Sequence, residues 1–325
     1  MNQGKGANEM RYRRLGASGL QVSTVALGTW LTVGGSIDDE TARAVLEAAA
    51  AEGINFIDTA NVYAGGRAEA VIGEWLHGRR RDDWVIATKV FFPIGPGPND
   101  RGLSRKHLFE QCHHSLGRLR TNHIDLYQCH RHDPDTALEE TCRAMDDLVR
   151  AGKILYWGVS QWPAEQIRAA GKACRQAGWA RPISNQPKYN LIERGVEAEI
   201  LACCQEEGLG VLPYSPLAQG ILTGKYRPGE APPTESRGAD PREGQWLRPL
   251  LKPQILEGAV AFAHLAESRG QTPAALALAW LLARPAVTSV ISGATRPEQL
   301  RENARAATIE LDRETTLALM DLFPA

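Results

Sequence analysis

Short, mainly apolar runs that read as strands recur along the chain at residues 25–29, 55–59, 84–89, 124–130, 154–160, 183–186, 210–214 and 287–292. Segments with 3.6-residue periodicity lie between them, at 38–52, 105–119, 137–151, 164–176 and 196–207. A strand with one face in water alternates apolar with polar residues, whereas a strand buried on both faces reads as an unbroken apolar run. Eight such strands, each followed by a helix within about 300 residues, predict an α/β fold: a parallel sheet jacketed by helices and closed into a (β/α)8 barrel. A doubly wound open sheet is the competing arrangement. Gly53, Gly152 and Gly208 follow helix ends, Thr272 and Pro273 offer a cap and a first-turn proline, and Ser36 with Asp39 resembles a capping box. Residues 12–24 alternate about the turn from Gly16 to Gly19 and predict a β-hairpin ahead of the barrel. One stretch, 220–253 after the seventh strand, is rich in Gly, Pro and charge and too long for an ordinary connection, which predicts a lid or binding loop.

Composition narrows the partners. With 37 basic and 38 acidic residues the net charge is −1, so no overall field favours nucleic acid or an anionic membrane. The longest apolar run, 274–283, falls well short of the roughly 20 residues that a membrane helix needs. Residues 1–10 lack the apolar stretch of a secretory signal and read as a flexible tail before one domain at 11–325, in a cytoplasmic protein that is free to form a homo-oligomer. Six cysteines without a CxxC pair read as reduced, half-buried packing residues.

A (β/α)8 barrel does its chemistry at the C-terminal ends of its strands, so the polar residues that close the runs matter most. The second run ends in Asp58, with Tyr63 in the loop that follows; the third ends in Lys89 and the fourth in His130. Singly, each has an ordinary reading: a turn cap, a half-buried aromatic, a solvated strand end, a surface imidazole. Together at one level they form a proton-donating device. Lys89 would lower the pKa of the Tyr63 phenol, Asp58 would hold the ammonium, and His130 would hydrogen-bond a substrate carbonyl oxygen. Lys89 as a Schiff-base nucleophile is the alternative. No GxGxxG follows a strand, 220–225 is one residue short of a P-loop, and His130 with His132 lacks a third ligand, so no metal is expected. His107, His113 and His114 fall on a helix and read as solvated.

These residues resemble the aldo-keto reductase superfamily over about 11–323. The resemblance rests on the stretch from Gly53 to Ala60 with Tyr63, on Thr88–Lys89, on Ile124 to Tyr127 leading to His130, on Gly158 to Ser160, and on Tyr214 to Leu217. It implies a barrel that binds NADPH across its rim and passes hydride to a small-molecule carbonyl substrate, with Asp58, Tyr63, Lys89 and His130 as the catalytic tetrad and Tyr63 as general acid. The branch resembled holds potassium-channel β subunits and bacterial reductases, so an NADPH-binding, redox-sensing subunit is the rival function. Channel subunits often carry Asn in place of His130, which favours catalysis here. By the same resemblance, Gly28, Thr29 and Trp30 form the first cofactor loop, Ser160 and Gln186 meet the nicotinamide amide, and Tyr214 stacks on its ring. Gln161 stands where the branch often has Asn or Arg. Ser215, Leu217, Gly220, Lys225 and Arg237 fold over the pyrophosphate; the stretch from Gly293 to Asn303 forms the adenosine end, with Thr295, Arg296 and Gln299 near the 2′-phosphate and Glu302 and Asn303 near the adenine. Trp30, Tyr63, Phe91, Phe92, His130 and Trp162 would line an aromatic substrate pocket.

Overall fold

The computed structural model describes residues 10–234 and 236–323. Residues 1–9 of the expected tail lie outside that range, and Met10 is buried, its Sδ accepting a 3.8 Å hydrogen bond from Thr24. Eight parallel strands follow one another around a single sheet: β3 (Val25–Gly28), β4 (Phe56–Asp58), β5 (Val85–Val90), β6 (Ile124–Cys129), β7 (Ile154–Ser160), β8 (Ser184–Gln186), β9 (Gly210–Val211) and β10 (Val290–Ser292). The last strand returns to the first, with Val290 opposite Val25, and Val211 and Tyr214 bridge to Val287 and Ile291. That closure makes the (β/α)8 barrel and excludes the open sheet.

Closure creates two cores. Ala26, Phe56, Val85, Ala87, Leu126, Leu212 and Ile291 fill the barrel, while the opposite faces of the strands pack on the helices. The predicted hairpin, β1 (Tyr12–Arg14) and β2 (Gln21–Ser23), plugs the N-terminal mouth, which would otherwise open the barrel interior to water. Leu15 and Val22 join the interior cluster, and Gly16, at φ 58°, lies so close to Gly208 and Gly210 that a Cβ would collide with their backbone.

Ten α-helices complete the described chain: α1 (Asp39–Ala51), α2 (Arg67–Leu76), α3 (Arg105–Leu119), α4 (Leu138–Arg150), α5 (Ala164–Ala177), α6 (Ile200–Glu207), α7 (Pro253–Ser268), α8 (Pro273–Leu282), α9 (Pro297–Ala304) and α10 (Arg313–Asp321). The expected segment 196–207 divides into a 3₁₀ turn and α6. The expected capping box is corrected: Asp38, not Ser36, caps α1 by accepting from Thr41 N, because the Ser36 hydroxyl is turned back onto Leu31 O. Thr272 caps α8 as the sequence predicts. The apolar run becomes α8, buried from Ala274 to Leu282 between α7, α9 and β10, and no helix of the described residues is long and apolar enough to cross a membrane.

Two burial expectations need correction. All six cysteines are fully buried free thiols rather than half-buried ones. His107 is 1% exposed, because α3 turns this residue toward the core; burial lowers its pKa, and of the three histidines on that helix only His113 and His114 face solvent.

Candidate active site

Strand register sets the site. β4, β5 and β6 pair so that Asp58 lies beside Ala87 and Lys89 beside Gln128, which turns Asp58, Lys89 and Gln128 into the barrel near its C-terminal rim. Tyr63 arrives on a tight turn, Tyr63–Gly66, in which Ala64, Gly65 and Gly66 all have positive φ. Gly66 is needed there, since a Cβ would lie 2.9 Å from the Arg118 side chain. Arg118 binds the fully buried Glu69 of α2 at 2.6 Å, and Glu69 accepts from Thr88 of β5 at 2.5 Å. The turn carrying Tyr63 is thereby clamped to the strand carrying Lys89.

The ammonium of Lys89, 0% exposed, uses all three of its donors: to Asp58 Oδ1 at 2.5 Å, to Thr59 O at 2.9 Å and to Tyr63 Oη at 3.2 Å. The other Asp58 oxygen accepts from Gln186 Nε2 at 2.8 Å and Gln128 Nε2 at 3.2 Å. Burial by itself would lower the Lys89 pKa, but the negative charge of Asp58 and the Tyr63 hydroxyl outweigh it, and the pKa is raised. Sequence reasoning assigned Tyr63 a lowered pKa. The structure corrects this: desolvation of a phenol whose hydroxyl end lies deep in the barrel raises its pKa more than Lys89 lowers it. Tyr63 therefore holds its proton at neutral pH. His130 lies edge-on to Tyr63, ring centroids 5.8 Å apart, with its Nδ1 buried and unpartnered. Burial, then the charges of Lys89 and Arg131, push its pKa well below the usual value, so the ring is neutral. An acid with its proton, a cation behind it and a neutral imidazole beside it can polarise a carbonyl oxygen and protonate it.

The other expected residues sort themselves around this centre. Gly28 lies so close to the Ile291 side chain that a Cβ would meet it at 2.7 Å, and Thr29 binds Asp58 O through both N and Oγ1. Ser160 Oγ donates to Gln186 O at 2.9 Å. Gln161, in left-handed backbone, donates to the Tyr214 hydroxyl and so fixes that ring. Gln219 links Ser215 to Arg237, whose guanidinium also lies over the Trp30 ring, and Leu217 sits at the start of the turn that carries Gln219. Lys225 has a lowered pKa from desolvation and from the positive charges of Arg237 and Arg296, so these three cations converge from two separate segments. Thr295 binds Gln299 at 2.8 Å at the start of α9, beside Gly293; Asn303 turns inward to Ser292, while Glu302 stays half-buried on the same helix. Phe92 packs edge-on to His130 at 4.8 Å and to Phe91 at 5.4 Å. Trp162 is a correction: it is fully buried behind His132 and cannot form pocket surface.

Several partners escaped sequence reasoning. Gln128 is an inward-facing amide in a strand that is otherwise apolar on that face, a signal that could have been read; Glu69 and Arg118 look like ordinary solvated helix residues, and Trp246, which packs edge-on to Trp30 at 5.7 Å, lies in the loop. A groove of about 780 Å³ lies far from this rim, but its arginines Arg79, Arg81 and Arg120 are paired with Glu47, Asp125 and Glu74.

The closed (β/α)8 barrel gathers this acid, amine, phenol and imidazole at its C-terminal rim, the end at which barrels of this kind build their sites. The chain belongs to the aldo/keto reductase family, whose model matches residues 24–321. It is 43% identical over 303 residues, 92% of each chain, to a probable voltage-gated potassium channel subunit beta of Arabidopsis thaliana. It is also 43% identical over 300 residues, 91% of each chain, to a protein of the same description from Oryza sativa subsp. japonica. These relatives agree with the channel-β-like branch read from the motifs. Members of the family generally bind a nicotinamide cofactor.

Proposed function

We propose that the protein reduces an aldehyde or ketone to the alcohol using NADPH, with Asp58, Tyr63, Lys89 and His130 as its catalytic group. The observation that carries this reading is the buried Lys89 ammonium, shared between Asp58 and the Tyr63 hydroxyl beside a neutral His130. The residues present fit the cofactor: the Lys225, Arg237 and Arg296 cations suit its phosphates, a Cβ on Gly220 would meet Lys225 at 2.9 Å, and Tyr214 offers a fixed ring for stacking. When bound, NADPH supplies the hydride that the carbonyl carbon takes up. His130 hydrogen-bonds the carbonyl oxygen and orients it toward Tyr63 Oη. As the π pair moves onto that oxygen, Tyr63 gives it a proton, and the adjacent Lys89 ammonium stabilises the phenolate until solvent restores the proton. Gln186 and Gln128 hold Asp58 on Lys89 throughout.

A panel of aldehydes, ketones and sugars, followed by NADPH absorbance, tests the reaction; stoichiometric NADPH binding with no turnover would favour a redox-sensing regulatory subunit instead. Borohydride trapping of substrate on Lys89 would favour the Schiff-base alternative.

Cofactor choice gives a separate expectation. Arg296 is exposed at the start of α9 beside Thr295 and Gln299, where a guanidinium pairs well with a 2′-phosphate. Arg296→Ala should weaken NADPH at least tenfold and NADH hardly at all, measured by fluorescence titration; equal losses would remove Arg296 from that role.

The segment 220–253 should close over the cofactor. It is built of short 3₁₀ turns anchored by Tyr226 and Leu247, with Lys225 and Arg227 exposed and Arg237 half-buried. Trypsin should cut the cofactor-free protein at Lys225 and Arg227, and saturating NADPH should protect both sites. Equal cleavage rates would make the loop a passive insertion.

A further inference from the structure

Arg131 is a rim cation that neither the catalytic group nor the cofactor cradle uses. Its NH1 donates to His130 O at 2.5 Å and its guanidinium stacks over Phe92, 5.1 Å from the ring centroid. Phe92 in turn touches His130, and His130 touches Tyr63, so the cation ends an unbroken line of contacts that starts at the phenol. Among the described residues no carboxylate lies within ion-pairing distance of it, unlike Arg81, Arg118 and Arg237. Acids on neighbouring rim loops are committed elsewhere. Asp133 accepts from Leu103 N and Thr136 Oγ1, and Glu193 is paired with Lys188 at 2.5 Å and with Asn190. A guanidinium has five donors, and one backbone carbonyl engages one of them. The charge is felt inside the site as well: it lowers the pKa of His130 and opposes the rise at Tyr63 and Tyr214.

We propose that Arg131 is a specificity-determining residue that binds an anionic group of the substrate, so that the favoured substrates are carbonyl compounds bearing a carboxylate a few bonds from the reacting carbon. This rests on the reductase reading above. Arg131 takes no part in proton or hydride movement; it holds the far end of the substrate while the Phe92 face bounds the middle. A flat guanidinium over an aromatic ring keeps its edge free for a bidentate carboxylate.

The test compares 2-, 3- and 4-formylbenzoate with their methyl esters, which differ in charge and sample three spans at constant ring chemistry. The wild-type protein should favour at least one carboxylate over its ester by tenfold or more in kcat/KM, mostly through KM. Arg131→Gln should erase that ratio while leaving kcat on the esters within about threefold, and Arg131→Lys should restore part of it. An unchanged ratio in Arg131→Gln, or a variant that loses NADPH affinity while keeping carboxylate preference, overturns the proposal. If no aldehyde is turned over at all, the reductase reading fails by itself. Calorimetric titration of the same three acids and esters into the NADP⁺-loaded wild-type and Arg131→Gln proteins then decides the anion site: an Arg131-dependent preference for an acid supports it, and none overturns it.

Discussion

Tyr63→Phe should lower kcat for carbonyl reduction by about 10² or more while leaving NADPH affinity within a factor of two, because one oxygen is lost and the ring stays. The substitution also removes the 3.2 Å acceptor of Lys89, but Asp58 and Thr59 still hold the ammonium, so the fold should survive. The pH profile gives a second reading of the same residue. Since burial raises the pKa of Tyr63 above its ordinary value near 10, kcat in the reductive direction should stay level through neutral pH and fall only in strong alkali. Stopped-flow absorbance with the best aldehyde of the panel measures both effects. Near wild-type turnover in the Phe variant would mean that another group donates the proton.

Lys89→Met should abolish reduction and cost about 3–5 kcal/mol of stability, since it leaves Asp58 as a buried carboxylate without its cation. Two amides, from Gln186 and Gln128, would remain on Asp58, which is too little to replace a full charge. Urea denaturation gives the stability change and the NADPH assay the rate. Alkaline pH should mimic part of this. The folded-state pKa values of Lys89 and Tyr63 are raised, so their contribution is complete below the unfolded values near 10 and is lost as pH climbs through the folded ones. His130 works in the opposite sense: its lowered pKa means that stability falls as pH drops below about 6.5. A stable, active Lys89→Met protein would reduce Lys89 to a strand-end charge.

The strands were legible because their signal is local. β6 and β7 read as mainly apolar runs whatever they pair with, and the observed bounds differ from the expected ones by one residue or none. The meeting of these side chains was legible for a related reason: once strand ends are known, a barrel brings them to one rim, and Asp58, Lys89 and His130 lie at the C-terminal ends of consecutive strands. What could not be read was pairing and depth. Glu69 and Arg118 are indistinguishable in sequence from a solvated helix pair, yet together they clamp the Tyr63 turn to β5 from inside the protein. His107 and Trp162 were misplaced because periodicity gives a face of a helix or loop but not which neighbour covers it.

From its order of residues alone, then, the chain determines eight parallel strands, the barrel that they close and the rim at which acid, phenol, amine and imidazole meet, because each depends on short-range pattern and on the few ways that strands and helices can stack. Only the tertiary structure decided how those groups ionise and which of their neighbours are free. The pKa of Tyr63 rises because its hydroxyl is desolvated, Gln186 faces Asp58 because β8 carries it across the barrel from β4, and Arg131 keeps its charge unpaired because the acids around it are bound to other partners. Desolvation and pairing are sums over residues far apart in the chain, and they come into existence only when the barrel closes.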